Sequence, residues 1–186
     1  MRAMSFLSLP LGALCLVVAF ALPAAQGEGL LPGKVTRVID GDTIDVLLGS
    51  GRIRVRLQGI DAPERDQPGG REAQQWLRRR LIDHAVQLEP VSQDRYSRMV
   101  ALVHADGGVV NEALLQAGHA WAYRHYLRRV DRHYCDLEER ARAARLGLWA
   151  LSMPHAPWQH RETRGKGPFT DFTRGTASDC RRAAGR

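Results

Sequence analysis

The stretch from Lys34 to Val91 constrains the fold more than any other part of the chain, because short β-branched runs there are cut off repeatedly by turn-forming residues. Val35 to Ile39 and Ile44 to Leu48 flank Asp40-Gly41-Asp42-Thr43, and Gly49-Ser50-Gly51 separates the second run from a third. In that third run Ile53, Val55 and Leu57 alternate with Arg52, Arg54, Arg56 and Gln58, the period-2 pattern of a strand with one buried face. The spacing predicts a three-strand meander. Ala73, Trp76, Leu77 and Leu81 then recur at helical spacing, so a helix over 71–83 follows Pro68-Gly69-Gly70. Two more strands are predicted over 86–91 and 99–104, then an Asp106-Gly107-Gly108 turn and a short helix over 112–116, capped by Asn111 and closed by Gly118. A longer helix is expected over 131–146, with Tyr134, Leu137, Ala141 and Ala144 on its core stripe and Gly147 as its stop. Three strands, a helix, two strands and further helices suit an α+β fold: a small five-stranded barrel of oligonucleotide-binding size with helices packed on it.

The flanks read differently. Arg2 precedes an apolar run from Phe6 to Leu22 that ends in small residues up to Ala25, the layout of an export signal. Pro10 and Gly12 interrupt the run, which is shorter than the roughly 20 apolar residues of a spanning helix, so removal is expected rather than a retained anchor. The expected organisation is a signal over 1–25, one domain over 34–150 and an irregular basic tail over 151–186, where Pro154, Pro157, Gly165, Gly167 and Pro168 break any periodicity. An exported monomer follows, periplasmic or secreted and without stable membrane association. Signal removal leaves Cys135 and Cys180. An oxidising compartment and an even count favour their pairing, against the alternative of two independent thiols.

Charge adds a partner class. The 27 Lys+Arg exceed the 20 Asp+Glu, and only Lys34 and Lys166 are lysines, so the positive charge is almost all guanidinium. That group binds phosphate oxygens as a two-pronged fork, which favours polyanions such as nucleic acid. A solubility bias toward arginine would give the same count.

Chemistry concentrates in three segments: Asp40-Gly41-Asp42-Thr43, Arg56 to Glu64, and Asp94-Arg95-Tyr96-Ser97-Arg98. Carboxylates delivered from different loops can hold one hard cation while leaving coordination positions to phosphate and water. Arginines can stabilise charge on a phosphorane-like transition state while a further carboxylate positions or deprotonates water. Each piece alone has a bland reading: Asp-Gly as a turn, an alternating Arg as a solvated strand face, Pro63-Glu64 as a loop. His104, His119, His125 and His133 form no close metal-ligand spacing and read as surface or strand-end residues. Trp121 and Trp149 read as core.

Taken in order, these segments resemble the staphylococcal nuclease family. The resemblance rests on Ile39 to Thr43, Arg56-Leu57-Gln58-Gly59-Ile60-Asp61-Ala62-Pro63-Glu64, Asp94 to Arg98, Asp106 to Leu114, Gly118 to Tyr123 and Gly147-Leu148-Trp149. It implies an oligonucleotide-binding barrel with about three helices, calcium as cofactor, and hydrolysis of DNA and RNA that leaves 3′-phosphate ends. By position, Asp42 and Asp61 look like the calcium-binding carboxylates, and Ala62 stands where the family uses a backbone carbonyl. Glu64 looks like the residue that activates water, while Arg56 and Arg98 look like the guanidiniums on the scissile phosphate and leaving oxygen. Asp40 falls behind them. Arg95 and Tyr96 resemble a pair that contacts a terminal phosphate, and Tyr123 or Tyr126 would form the stacking platform for a base. Ala62 replaces a threonine of the best-known member, and the segment between Glu64 and Arg71 is short for the family. The alternative of a non-catalytic nucleic-acid-binding barrel would lack these acids and arginines.

Overall fold

The computed structural model describes residues 29–164 and 177–184, so the export signal expected over 1–25 lies outside the described residues. The predicted meander is β1 (Leu31–Val38), β2 (Thr43–Leu48) and β3 (Gly51–Leu57), each antiparallel to the next. A two-residue strand, β4 (Ile60–Asp61), leads to α1 (Gly70–Leu81). The chain returns as β5 (Ala85–Gln93), β6 (Met99–Ala105) and the short β7 (Gly108–Val109). The strand order is β3-β2-β1-β5-β6-β7, and a parallel pairing of β3 with β6 closes the ring into a five-stranded barrel. Alternation fills it: Val35, Ile44, Val46, Val55, Leu88 and Val103 have no exposed surface. Burying each such aliphatic side chain stabilises the fold by about 1.5–3 kcal/mol.

After β7 come α2 (Val110–Gln116), β8 (Trp121–Ala122) and α3 (Tyr134–Ala143). These and α1 are the three helices expected around the barrel. β8 pairs with β4 in a second, two-stranded sheet, Asp61 opposite Trp121. Buried Glu138 on α3 holds this corner by accepting hydrogen bonds from the Ala122 amide (2.7 Å), Arg124 (3.1 Å) and Arg142 (2.8 Å).

Two local expectations change. Asn111 does not cap α2; it lies inside the first turn, wholly buried. Its amide bridges barrel strands instead, accepting from Val103 N (3.0 Å) and donating to Gln58 O (2.9 Å) and Ala101 O (3.3 Å). The helix expected over 131–146 is split: a 3-10 turn spans Arg129–Asp131 and α3 ends at Ala143. Arg128 pairs with buried Asp131 at 2.7 Å, which satisfies that carboxylate in the turn before the helix.

The segment after 150, expected to be irregular, contains α4 (Pro157–Thr163) and α5 (Ala177–Ala183). Pro157 starts α4 at the first helical position, where a missing N–H costs nothing. Trp158 then buries itself in a cluster with Trp121, Ala141, Leu148, Trp149 and Ala156. α5 is moored differently. A disulfide joins Cys180 to Cys135 of α3, Cα to Cα 5.7 Å, and Arg132 donates to Ala184 O at 3.2 Å. Among the described residues no helix is long and apolar enough to cross a membrane.

Candidate active site

The site is assembled where β1, β3 and β4 end. Asp40 Oδ1 accepts from the Asp42 amide (3.1 Å), and Ile39 N donates to Thr43 O (2.9 Å), so the Asp40–Thr43 turn closes on itself. Gly41 is required there because a Cβ would lie 2.6 Å from the Ala62 Cβ and 2.8 Å from the Ala73 Cβ. The close approach presses the Asp42 turn onto the end of β4. Asp42 Oδ2 accepts from Ala62 N at 2.7 Å and Asp42 Oδ1 from the Thr43 hydroxyl at 3.1 Å.

Arg52, Arg54 and Arg56 share one face of β3, yet their surroundings diverge. Arg54 is half-exposed and pairs with Asp45 directly across the β2–β3 ladder at 2.8 Å, the bland strand-face reading. Arg56, two residues on, is covered by the site turns and only 14% exposed. Its Nη1 donates to Leu57 O (3.0 Å) and Ile60 O (2.9 Å), and its Nη2 meets both Asp61 Oδ1 (2.9 Å) and Asp42 Oδ2 (3.1 Å). One guanidinium nitrogen therefore bridges the two aspartates nominated as metal ligands.

Glu64 sits in the tight turn that enters α1. Its amide donates to Gln67 Oε1 (3.1 Å), and Gln67 N returns to Glu64 O (2.8 Å). Gly70 is the residue that lets α1 start so close, since a Cβ there would fall 1.9 Å from Glu64 O. Asp40, Glu64, Arg71, Tyr96, His160 and Arg161 line an open cleft of about 1000 Å³ beside this turn.

Arg161 is the site residue that sequence reasoning missed. It comes from α4, and its Nη2 reaches Asp61 Oδ2 at 2.6 Å, while Nη1 reaches Glu64 Oε1 at 2.8 Å and Asp61 Oδ1 at 3.3 Å. No motif carries it, because its partners lie 97 and 100 positions earlier. The available signal was Pro157 at a helix start with Trp158 and Arg161 one turn apart on one face.

The electrostatics follow from burial. Loss of solvent raises the Asp61 carboxyl to about 6, against the pull of Arg56 and Arg161 in the opposite direction. Asp40 rises to about 7, through burial first and the neighbouring Asp42 charge second. Burial opposes the charged form of Arg161, but Asp61 and Glu64 outweigh it and hold the guanidinium above its ordinary range.

The other nominated residues are engaged differently, and of these Tyr96 lines the cleft. Arg98 gives its Nε–H to Asp94 Oδ2 (2.7 Å) across the Asp94–Arg98 turn, whose amides at Tyr96 and Arg98 donate to Asp94 Oδ1. Exposed Tyr96 is flanked by Arg95 at 4.8 Å and Arg98 at 5.3 Å from its ring centre. Tyr123 and Tyr126 meet edge to face at 4.8 Å. Trp158 stacks parallel on Tyr123 at 5.6 Å, whereas Tyr126 stays 58% exposed. His104 and His133 pair with Glu89 and Glu112, away from these acids.

Asp42, Asp61 and Glu64 offer only oxygen, the donor type of a hard divalent cation, so the donor chemistry fits calcium. In this arrangement Arg56 and Arg161 lie between those carboxylates. Among the described residues no three Asp, Glu, His or Cys side chains converge as a ready metal-ligating group.

A five-stranded barrel of oligonucleotide-binding type with buried carboxylates and guanidiniums at one end has the groups that phosphodiester hydrolysis calls for. Residues 54–151 match the family model described as staphylococcal nuclease homologue. The chain is 41% identical over 138 residues to a micrococcal nuclease of Shigella flexneri, covering 69% of this chain and 79% of that one. It is 39% identical over 172 residues to protein ParB of Escherichia coli, covering 87% and 94%, and 36% identical over 147 residues to an uncharacterized endonuclease of Haemophilus influenzae, covering 78% and 82%. The chain belongs to the staphylococcal nuclease family and is a phosphodiester-hydrolysing endonuclease.

Proposed function

We propose that the protein is a calcium-dependent, sugar-nonspecific nuclease that cuts DNA and RNA to leave 3′-phosphate ends. The observation that carries this reading is the convergence of Asp42, Asp61, Glu64 and Arg56 at one end of the barrel, on strand ends and turns that fix their positions. Bound by the Asp42 and Asp61 carboxylates and the Ala62 carbonyl, calcium would supply positive charge opposite the phosphate. Glu64, the most solvent-accessible of the three acids, accepts the proton of the attacking water. The water oxygen forms a bond to phosphorus as the P–O5′ bond breaks, and the 5′-oxygen takes up a proton, leaving 3′-phosphate and 5′-hydroxyl. Arg56 and Arg98 donate to the phosphate oxygens as charge builds on them, which is where fixed donors contribute most. Arg95 and Tyr96 bind a neighbouring phosphate. Tyr126 is the better base platform, because Trp158 already covers a face of Tyr123.

The test is purified protein incubated with single-stranded DNA, duplex DNA and RNA, with calcium, magnesium or excess chelator, followed by end analysis. Calcium should support cleavage better than magnesium, chelation should abolish it, and the new 3′ ends should carry phosphate. Undiminished cleavage in chelator refutes the metal mechanism, and 5′-phosphate ends refute the bond assignment. The reading extends to export: the mature chain acts as a monomer in the periplasm or outside the cell, and fractionation that finds only uncleaved chain in the cytoplasm rules this out.

A further inference from the structure

Arg161 makes the same demand on Asp61 and Glu64 that a metal ion would. Its two Nη atoms take both oxygens of Asp61 and one of Glu64, at 2.6 to 3.3 Å. Asp61 is 1% exposed, and its Oδ1 also receives Arg56. Calcium binds oxygens at about 2.3–2.6 Å, so a metal ion and the Arg161 fork cannot use the same lone pairs at once. The contact is not a loose surface pairing. Trp158 is 3% exposed, stacked on Tyr123 and edge-on to Trp121, and Gln67 of the Glu64 turn donates to His155 O just before α4. The helix is thus fastened to the site by a buried aromatic and a side-chain hydrogen bond besides Arg161, whose guanidinium also lies over the Tyr123 ring at 6.0 Å.

We propose that Arg161 is a further positioning residue of the nuclease reaction: it acts as a resident counter-cation that holds Asp61 and Glu64 together without metal and must yield them when a divalent cation binds. Two consequences follow. The apparent metal affinity is reduced by the fraction of molecules in which Arg161 still holds Asp61, because a ligand that binds one of two states loses affinity in proportion to the population of the other. Once released, the guanidinium stays within the cleft, since Trp158 keeps α4 docked.

The inference rests on the calcium reading, and calorimetric titration of calcium into the full mature protein, without nucleic acid, separates the two. Arg161→Ala should bind calcium at least about tenfold more tightly than wild type. Arg161→Lys, which keeps the charge but not the two-nitrogen fork, should fall between them. Arg164→Ala removes an equal charge from the same helix end, where Arg164 pairs with Asp66 rather than Asp61, and should leave calcium affinity within about twofold of wild type. Hydrogen exchange at the α4 amides confirms that α4 remains docked in each variant. Unchanged or weaker binding by Arg161→Ala overturns the inference and leaves the calcium reading standing. Equal tightening by Arg164→Ala also overturns it, because general repulsion then accounts for the effect. Absence of calcium binding by every variant overturns both.

Discussion

The barrel and the C-terminal segment are held by different kinds of force. In the barrel, every strand is tied to two neighbours, Asn111 bridges β6 to the chain after β3, and the interior side chains are fully buried. After residue 150 the anchors are few: Trp158 and the Gln67–His155 hydrogen bond for α4, and the Cys135–Cys180 bond with Ala177, Cys180 and Ala184 in the main core for α5. Distributed packing makes a cooperative unit, whereas a segment with fewer anchors opens at a lower free energy. Both regions nevertheless reach the same carboxylate, Asp61, through Arg56 from one and Arg161 from the other. The difference teaches that one buried carboxylate can be reached both from the distributed packing of the barrel and from a helix with few anchors.

The sharpest way to break this comparison is in the barrel interior. Leu88→Ala, at a position with no exposed surface, should cost about 4 kcal/mol of unfolding free energy, with the amides of all five barrel strands losing hydrogen-exchange protection together. Different opening energies for different barrel strands would show that the barrel is not one unit. Next come the site residues. Glu64→Gln and Arg56→Lys should each lower kcat about 100-fold or more, roughly 3 kcal/mol, in steady-state cleavage of single-stranded DNA. Near wild-type rates in both would mean that catalysis does not reside at this end of the barrel.

Opening the disulfide with Cys180→Ser sharpens the contrast further. Its expected cost is about 2 kcal/mol, with increased hydrogen exchange confined to α5 and the facing side of α3, and unchanged cleavage. Loss of activity would tie α5 to the site. The smallest effect belongs to Lys34→Ala. Lys34 and Asp83 form a solvated pair at 3.2 Å, and its removal should shift stability by less than about 1 kcal/mol in urea unfolding.

What the sequence made legible follows the same division. The alternation of Ile53, Val55 and Leu57 identified β3 because one barrel face is buried and the other is not. Motif order brought Asp42, Asp61, Glu64 and Arg56 into one neighbourhood because they sit on adjacent strand ends. The two-residue strands β4 and β8 carry no period of their own and emerge only when Ile60 and Asp61 find Ala122 and Trp121. Asn111 looked like a cap because its residue type favours caps, but three buried backbone groups around it compete successfully for its amide. Arg161 was illegible for a related reason. Pro154, Pro157, Gly165, Gly167 and Pro168 interrupt any periodicity around α4, and the partners that give its arginine meaning are supplied from about 100 positions earlier in the chain.

The closure of the barrel also separates early from late contacts along the chain. Arg56 lies opposite Val100 in the parallel β3–β6 pairing, between strands separated by β4, α1 and β5. Such a pairing joins distant parts of the chain and is slow to nucleate, since the loop-closure entropy is lost before the contacts form. The meander can assemble from hairpins while Arg56 is still at a free edge. Arg56 finds Asp42, Leu57, Ile60 and Asp61 within the first half of the chain, so its ion pairs can form with the hairpins while the seam completes the wall on which they stand.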